Sequence, residues 1–252
     1  MGELLGKPDV SVMIPALDSI HYIDSAVLSV MSQTNPNWEM LAYDDGSTDG
    51  TYERLQFWAT QDDRIKVARP FEQPRQYADL CNQMLADAKG EFMARLDCDD
   101  ISLPNRLDAQ LDFIRRKKDA VLLGSMVGFV MESQGGKLTH DHPLIDVVRS
   151  AASHDQPIND AIRSHHKVVH GGTFFARTQD MINAGGYDNM LPLDDWDMSL
   201  RMAEQGAIYV LPELLYLKRI HAQSASKKHP NRQQAFEAIR DKYNLEMSDL
   251  PA

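Results

Sequence analysis

An acidic tetrapeptide, Asp97-Cys98-Asp99-Asp100, carries the clearest potential for chemistry in this sequence. It follows an apolar segment, 92–96, that is typical of a buried strand. Mg²⁺ and Mn²⁺ prefer oxygen ligands and are often held by one or two carboxylates together with substrate phosphates. Three crowded carboxylates also repel one another unless a cation neutralises them. The tetrapeptide therefore favours a divalent-cation site, and the alternative is a solvated acidic turn before a helix.

Two other readings of this tetrapeptide are less consistent with the sequence. A calcium-binding loop starting at Asp97 would need an oxygen ligand at its fifth position and glycine at its sixth, where Ile101 and Ser102 stand. A phosphatase of the haloacid-dehalogenase type has the motif DxDx(T/V) at a strand end. Here Ile101 replaces the last residue of that motif, Arg95 interrupts the apolar segment, and three predicted strands come first. The calcium loop fails, and the phosphatase stays an alternative.

Three further segments contain candidate site residues. Asp44 and Asp45 follow a predicted strand, where a carboxylate can accept hydrogen bonds from a nucleotide, although Asp, Gly and Ser are also ordinary turn residues. Asp195 stands at a predicted helix start, where it is either a general base or an acidic cap. Trp196 begins the apolar stripe of that helix. His221 follows a predicted strand and is either a ligand for metal or phosphate or a structural histidine.

These residues depend on an alternation of predicted strands and helices along the first half of the chain. Strands are predicted at 10–15, 38–43, 65–68 and 92–96, and helices at 20–33, over Tyr52, Leu55 and Trp58, at 76–88, and from Pro104. The alternation predicts a mostly parallel sheet with helices on both faces. Ligands of such sheets bind beyond the carboxyl ends of the strands, so the loops 15–19, 44–50 and 97–103 should meet at one edge.

The second half of the chain has a mixed pattern. A hairpin is predicted at Gly135-Gly136 between 121–131 and 137–140, and a strand with a glycine break at 168–176. Helices are predicted near 178–184, 194–205 and 230–245, and strands near 207–211 and 214–220. Because no long linker divides the chain, we predict a single domain over 1–252.

Composition narrows the classes of function. The net charge of −11 argues against a general nucleic-acid binder, which needs a basic surface. The two cysteines, Cys81 and Cys98, lack metal-type spacing and indicate a reduced, cytoplasmic protein. The apolar segment 120–131 is too short to span a bilayer. The basic segments 115–118 and 227–228 allow at most a peripheral contact with the inner face of a membrane, and solvated helix ends are the alternative.

Taken in order, the segments resemble the GT-A nucleotide-sugar glycosyltransferases of family 2. The matching segments span roughly residues 9–226 and read VSVMIP, SAVLSVMSQT, WEMLAYDDGSTDGT, ADAKGEFMARLDCDDISLPNRLDAQ, HGGTFFAR, AGGYD, LDDWDMSLRM and RIHAQSAS. The resemblance implies an α/β fold of the GT-A type, with a Rossmann-like, mostly parallel central sheet and a mixed second half. It implies a nucleotide-binding half at about 8–100, an acceptor and catalytic half at about 101–226, and a helical tail at 227–252.

The resemblance also implies an activity and its partners. Members transfer a sugar from a nucleotide-diphosphate sugar, most commonly a UDP-sugar but also GDP- and dTDP-sugars, to an acceptor hydroxyl. The implied reaction is inverting and depends on a divalent cation, Mn²⁺ or Mg²⁺. The implied acceptor is a carbohydrate or a lipid-linked sugar, in bacterial-type polysaccharide or glycoconjugate synthesis. A non-catalytic nucleotide-sugar-binding protein is the non-enzyme alternative.

The resemblance assigns expected roles to individual residues. Asp195 resembles the catalytic base, with Asp194 where the family usually has glutamate. The metal ligands are expected among Asp99, Asp100 and His221. The expected substrate contacts are Pro15, Ala16, Asp18, Asp45, Asp97, His170, Gly171, Asp194 and Trp196. Two of the family's positions differ here, because Leu17 and Asp18 stand where an aromatic residue and an asparagine are common.

Overall fold

Strands and helices alternate along the chain in the computed structural model, which describes residues 6–70, 76–131, 156–164, 169–190, 192–221 and 230–245. The first elements are β1 (Val10–Ala16), α1 (Ile23–Met31), β2 (Trp38–Asp44), α2 (Thr51–Gln61), β3 (Ile65–Ala68), α3 (Tyr77–Asp87) and β4 (Phe92–Arg95). The later elements are β5 (Ile101–Ser102), α4 (Arg106–Arg116), β6 (Ala120–Met131), α5 (Asn159–Ser164), a 3₁₀ turn (Gly171–Thr173), β7 (Phe175–Arg177), α6 (Thr178–Asn183), α7 (Asp194–Ala203), β8 (Ala207–Ile220) and α8 (Arg232–Tyr243).

The strands form one eight-stranded sheet in the order β3-β2-β1-β4-β7-β6-β8-β5. The four strands of the first half are parallel to one another. Antiparallel pairing begins at β7, which joins β4 to β6, and β8 then runs parallel to β6. The predicted mostly parallel sheet with a mixed second half is therefore confirmed.

Every residue of β1 is buried, because helices cover both faces of the sheet. Alternate side chains enter different cores: Val12 and Ile14 pack with α1, α2 and α4, whereas Met13 packs with α3, α6, α7 and α8. The continuous apolar sequence of this strand follows from burial on both faces. The parallel pairing of β1 with β2 and with β4 brings the carboxyl ends of these three strands to the same edge of the sheet.

Two predicted elements of the second half need correction. The predicted strand at 168–176 is wrong over Gly171–Thr173, which form a 3₁₀ turn before β7. A Cβ at Gly172 would lie 2.1 Å from the hydroxyl oxygen of Tyr216, so the turn packs closely against β8. The two strands predicted at 207–211 and 214–220 are one strand, β8, whose register with β6 shifts around Ser125 and Met126.

Other predictions can be compared only in part. The terminal helix predicted at 230–245 is found as α8. The second strand of the predicted hairpin, 137–140, lies outside the described residues. Within the described ranges, every helix is too short or too polar to cross a bilayer.

Candidate functional site

A cavity of about 840 Å³ opens where β1, β2 and β4 end, at the edge of the sheet predicted for ligand binding. The three acidic or polar loops that follow these strands all contribute to its wall, together with the 3₁₀ turn, the start of α7 and the end of β8. The predicted site residues that line it are Pro15, Ala16, Asp18, Asp45, Asp97, Asp99, Asp100, His170, Gly171, Asp194, Asp195 and His221. Twelve residues that lie far apart in the chain thus surround one space.

Asp44 holds the loop that follows β2 but is not among the residues that line the cavity. Its carboxylate is 1% exposed, and Oδ2 accepts hydrogen bonds from the amides of Gly46 at 2.9 Å and Ser47 at 3.0 Å. The same oxygen pairs with Arg69 Nε at 2.8 Å. Asp45 follows, donates its own amide to Ala16 and lines the cavity. The two neighbouring aspartates therefore differ in position: Asp44 holds the loop, and Asp45 lines the cavity.

Asp18 joins the loop after β1 to the loop after β2. Its amide donates to Ser47 Oγ at 2.9 Å, and its Oδ1 accepts from the amide of Thr48 at 2.8 Å. Its φ of 42° is a left-handed conformation that Asp and Asn tolerate better than other non-glycine residues. These bonds fix the exposed rim of the cavity beside Leu17.

The three carboxylates of the acidic tetrapeptide have different surroundings. Asp100 is 1% exposed, and its oxygens accept from the Tyr216 hydroxyl at 2.6 Å and the Arg219 amide at 2.7 Å. Burial, together with the charges of Asp99 and Asp97, raises the pKa of Asp100 well above its usual range. Both oxygens of Asp100 thus accept internal hydrogen bonds, and its expected role as a metal ligand stays a prediction.

Asp97 is an ion-pair partner rather than a free carboxylate. Its Oδ1 accepts from Arg95 Nε at 3.0 Å. Burial is the largest single influence and would raise the pKa of Asp97, but the charge and hydrogen bond of Arg95, together with the other nearby positive groups, hold this pKa below its usual value. Arg95 therefore supplies part of the cation charge that the crowded tetrapeptide needs.

Asp99 is the carboxylate best placed for a cation. Its side chain is 27% exposed, and its Oδ2 lies 2.8 Å from Nε2 of His221, whose ring packs against Tyr22. Among the described residues, no group of three or more His, Cys, Asp or Glu side chains is arranged to enclose an ion. A carboxylate suits Mn²⁺ or Mg²⁺, and a site with few protein ligands would be completed by substrate phosphates. Asp99 supplies such a carboxylate at the cavity wall, with His221 beside it.

The first turn of α7 presents two carboxylates to the opposite wall. Asp195 Oδ2 accepts from the amide of Gly171 at 3.3 Å, and Oδ1 accepts from the amide of Trp196 at 2.8 Å. Asp194 pairs with Arg95 Nη1 at 2.8 Å. Burial, and then the charge of Asp194, raises the pKa of Asp195 to about 6. A carboxylate with this pKa is ionised at neutral pH and more basic than an ordinary aspartate.

The structure does not bring Trp196 to the cavity. This side chain is 3% exposed, its Nε1 donates to the carbonyl of Ile162 at 2.9 Å, and its ring stacks on Phe236 of α8 with centroids 5.8 Å apart. Because Asp195 and Trp196 are adjacent on a helix, they point in different directions. The expected substrate contact of Trp196 is therefore corrected to a core role, in keeping with its place in the apolar stripe.

His170 is held as a neutral ring. Its Nδ1 accepts from the amide of Gly172 at 3.1 Å, and its Nε2 lies 2.9 Å from Nζ of Lys218. Burial, and then the charge of Lys218, lowers the pKa of His170 to about 3. His170 thus lines the cavity as an uncharged ring whose two nitrogens contact Gly172 and Lys218.

Sequence reasoning did not identify two cations that line the cavity, Arg95 and Lys218. An arginine inside an otherwise apolar strand was a usable signal, because a charge is rarely buried without a partner. Lys218 gave no comparable signal, since it lies at the end of a strand where lysine is ordinary.

Comparisons with known proteins show which family the chain resembles. The family described as "Glycosyl transferase family 2" matches residues 11–184. A putative teichuronic acid biosynthesis glycosyltransferase, TuaG of Bacillus subtilis, is 38% identical over 130 residues, which are 52% of this chain and 50% of TuaG. The putative glycosyltransferase EpsE of the same organism is 30% identical over 216 residues, which are 84% of this chain and 73% of EpsE.

A solved structure shows the same fold. Residues 1–349 of TarS from S. aureus, in complex with UDP-GlcNAc, superimpose with a TM-score of 0.74 at 18% identity, covering 95% of this chain and 68% of that one. The chain spans about half the length of TuaG. The extent of the family match and the similarity to EpsE are decisive, and the chain belongs to glycosyl transferase family 2 with a GT-A fold.

Proposed function

We propose that this chain transfers a sugar from a nucleotide-diphosphate sugar to an acceptor hydroxyl, with inversion at the anomeric carbon and with the help of a divalent cation. The observation that carries the proposal is that Asp99 and Asp195 lie on the wall of one cavity with the nucleotide-side loops of β1 and β2. Family membership supports the class of reaction. A metal-binding pair and a raised-pKa carboxylate around one pocket are the parts that this reaction needs.

The nucleotide would lie against the loops after β1 and β2. Pro15, Ala16, Asp18 and Asp45 line this part of the cavity, and the two carboxylates can accept hydrogen bonds from a base or ribose. UDP is the expected nucleotide, supported by the UDP-GlcNAc in the TarS structure. His170 and Gly171 lie beside Asp195, where the transferred sugar would reach the acceptor.

Asp99 and His221 would hold Mn²⁺ or Mg²⁺. When bound there, the ion supplies Lewis-acid stabilisation of the negative charge that develops on the leaving diphosphate. Asp97 and Asp100 flank Asp99 in the chain and are held by Arg95 on one side and by Tyr216 and the Arg219 amide on the other.

Asp195 acts as the general base. It takes the proton from the acceptor hydroxyl while that oxygen bonds to the anomeric carbon and the bond from this carbon to the diphosphate breaks. Attack from the side opposite the leaving group inverts the configuration. Asp194 does not take the proton, because its carboxylate is paired with Arg95.

The acceptor would be a growing polysaccharide or a lipid-linked sugar. The printed name of TuaG places that relative in teichuronic acid biosynthesis, which supports a polysaccharide acceptor for this chain. A lipid-linked acceptor would place the reaction at the cytoplasmic face of a membrane, with peripheral contact only.

Calorimetry with UDP in the presence and absence of Mn²⁺ tests the proposal. We expect tighter binding with Mn²⁺, and we expect Asp99→Ala to lose that difference. Asp112→Ala, which changes an exposed aspartate of α4 outside the cavity, is the matched control and should bind as wild type does. Equal affinities with and without Mn²⁺ would count against a metal-bridged diphosphate.

A thermal-shift panel of UDP-, GDP- and dTDP-sugars with Mn²⁺ then identifies the donor, because a ligand that binds only the folded state raises the melting temperature. A ligand that binds but is neither transferred nor slowly hydrolysed would favour the non-catalytic alternative. The phosphatase alternative is not favoured by the family match, and it would require hydrolysis of a generic aryl phosphate.

A further inference from the structure

Arg95 connects two parts of the cavity wall that are distant in the chain. Its side chain is 10% exposed at the end of β4, Nε donates to Asp97 at 3.0 Å, and Nη1 donates to Asp194 at 2.8 Å. The planar guanidinium offers donors in a fixed fork, so one arginine can hold two carboxylates in a defined relation. Asp97 belongs to the acidic tetrapeptide, and Asp194 begins α7.

The backbone of Gly171 lies between Arg95 and Asp195. A Cβ added at Gly171 would lie 2.9 Å from Arg95 Nη1 and 3.0 Å from the Cβ of Asp195. Gly171 is not among the residues with left-handed backbone, so space rather than conformation favours glycine here. The amide of Gly171 also donates to Asp195 Oδ2 at 3.3 Å. Arg95, Gly171 and Asp195 are therefore packed as a unit.

Two aromatic rings restrict the position of the guanidinium. The ring centroids of Tyr77 and Tyr187 lie 5.2 Å and 5.8 Å from the guanidinium carbon of Arg95. Both distances fall within the range of cation–π attraction. With two carboxylates and two rings around it, Arg95 has a defined position before any substrate binds.

We propose that Arg95 is a positioning residue that ties the acidic tetrapeptide to the start of α7 and thereby fixes the carboxylate of Asp195 at the cavity wall. The inference rests on the proposed role of Asp195 as the base. The charged groups that face Asp195 are Asp194, Arg95 and Lys218. The two cations favour the ionised form of Asp195, while Asp194 disfavours it.

NMR titration of the protein labelled with ¹³Cγ-aspartate tests this without any substrate, and Asp195→Asn assigns the signal. The wild-type carboxyl should titrate near pH 6. The quantity to compare is the pH midpoint at which the Asp194–Asp195 pair takes up its first proton. In Arg95→Met we expect this midpoint to rise by about one pH unit, because a nearby cation is lost. In Arg95→Lys the rise should be smaller, since an ammonium keeps the charge but not the fork.

Two further variants keep the test decisive. Gly171→Ala retains Arg95 but inserts a methyl group against it, and we expect the midpoint to rise here as well, even if the Arg95 variants do not fold. Arg201→Met is the matched control, because Arg201 pairs with Asp197 on the same helix and its loss should lower stability without moving the midpoint.

The possible results separate this inference from the proposed function. An unmoved midpoint in Gly171→Ala and in whichever Arg95 variants fold would overturn the positioning role. A raised midpoint in a protein that transfers no sugar would leave the positioning role intact and reject the proposed function.

Discussion

The two sides of the cavity hold their carboxylates by different means. On the side of β1 and β2, Asp18, Asp44 and Asp49 accept hydrogen bonds from amides and hydroxyls of their own and neighbouring loops; Asp49, for example, accepts from the amides of Ile20 and Thr51. On the side of α7, Asp97 and Asp194 pair with the guanidinium of Arg95. The first arrangement fixes the shape of loops, and the second places charges.

This difference has consequences for proton affinity. Burial alone would raise the pKa of Asp49, but hydrogen bonds from Thr51 and Ile20 outweigh burial and lower it. Burial and the charge of Asp194 instead raise the pKa of Asp195 to about 6. The carboxylate of Asp49 therefore stays ionised, which suits binding. The carboxylate of Asp195 has a pKa close to neutral pH, which suits proton transfer.

The largest effect should come from the base itself. Asp195→Asn removes a positioned base, and we expect transfer to fall by about 10²–10⁴-fold while UDP binding with Mn²⁺ stays nearly unchanged. Asp49→Asn should do the reverse, with weaker UDP binding and nearly normal turnover at saturation. Steady-state kinetics and calorimetry check both. Wild-type turnover in Asp195→Asn would mean that another group is the base.

Removing the loop-holding carboxylate should destabilise the protein. Asp44→Ala leaves the amides of Gly46 and Ser47 and the side chain of Arg69 without their shared acceptor. We expect the unfolding free energy to fall by about 2–3 kcal/mol, because each unsatisfied buried donor costs about 1–3 kcal/mol. Urea denaturation measures the loss. If Asp44→Ala loses no more unfolding free energy than a surface control such as Asp112→Ala, the proposed role of Asp44 is contradicted.

The α7 side should show a stability that depends on pH. The ordinary pKa of an aspartate is 3.8, whereas that of Asp195 is about 6, so the folded state binds more protons between these values. Its unfolding free energy should then rise as pH falls through this window, and the buried charge is a cost above pH 6. We expect Asp195→Asn to melt above wild type at pH 8 and the gap to narrow at pH 5. A gap that is constant with pH would argue against the raised pKa.

The same contrast explains how much of the fold the sequence predicts. The strands β1, β2 and β4 are buried throughout and β3 is buried at Ile65, and amphipathic helices separate all four, so the hydrophobic pattern marks each of them. The 3₁₀ turn at Gly171–Thr173 was missed, and it packs closely against Tyr216, which lies more than forty residues away in the chain. The local sequence pattern carries no information about contacts between residues so far apart in the chain.

Some features of the site were likewise predictable from the sequence, and others were not. Asp45, Asp99 and Asp195 were found because carboxylates at strand ends and helix starts carry a local signal. The internal hydrogen bonds of Asp100 come from Tyr216 and Arg219 of β8, which lie more than one hundred residues away in the chain. The substrate contact expected of Trp196 came from the resemblance, whereas the apolar stripe of the helix already indicated the core position that the structure shows.

The smallest expected effect tests the β1–β2 side alone. Ser47→Ala removes the hydroxyl that accepts the amide of Asp18, while the amide of Thr48 still binds the Asp18 carboxylate. Because one of two reciprocal bonds at an exposed rim is kept, we expect UDP affinity to fall by no more than about fivefold, or about 1 kcal/mol. The pH dependence of transfer should not change, since Asp195 lies on the other side. Ser32→Ala, at an exposed position after α1, is the control for loss of a hydroxyl. A shift in the pH profile of Ser47→Ala would show that the two sides are coupled and that loop shape also sets the proton affinity of the base.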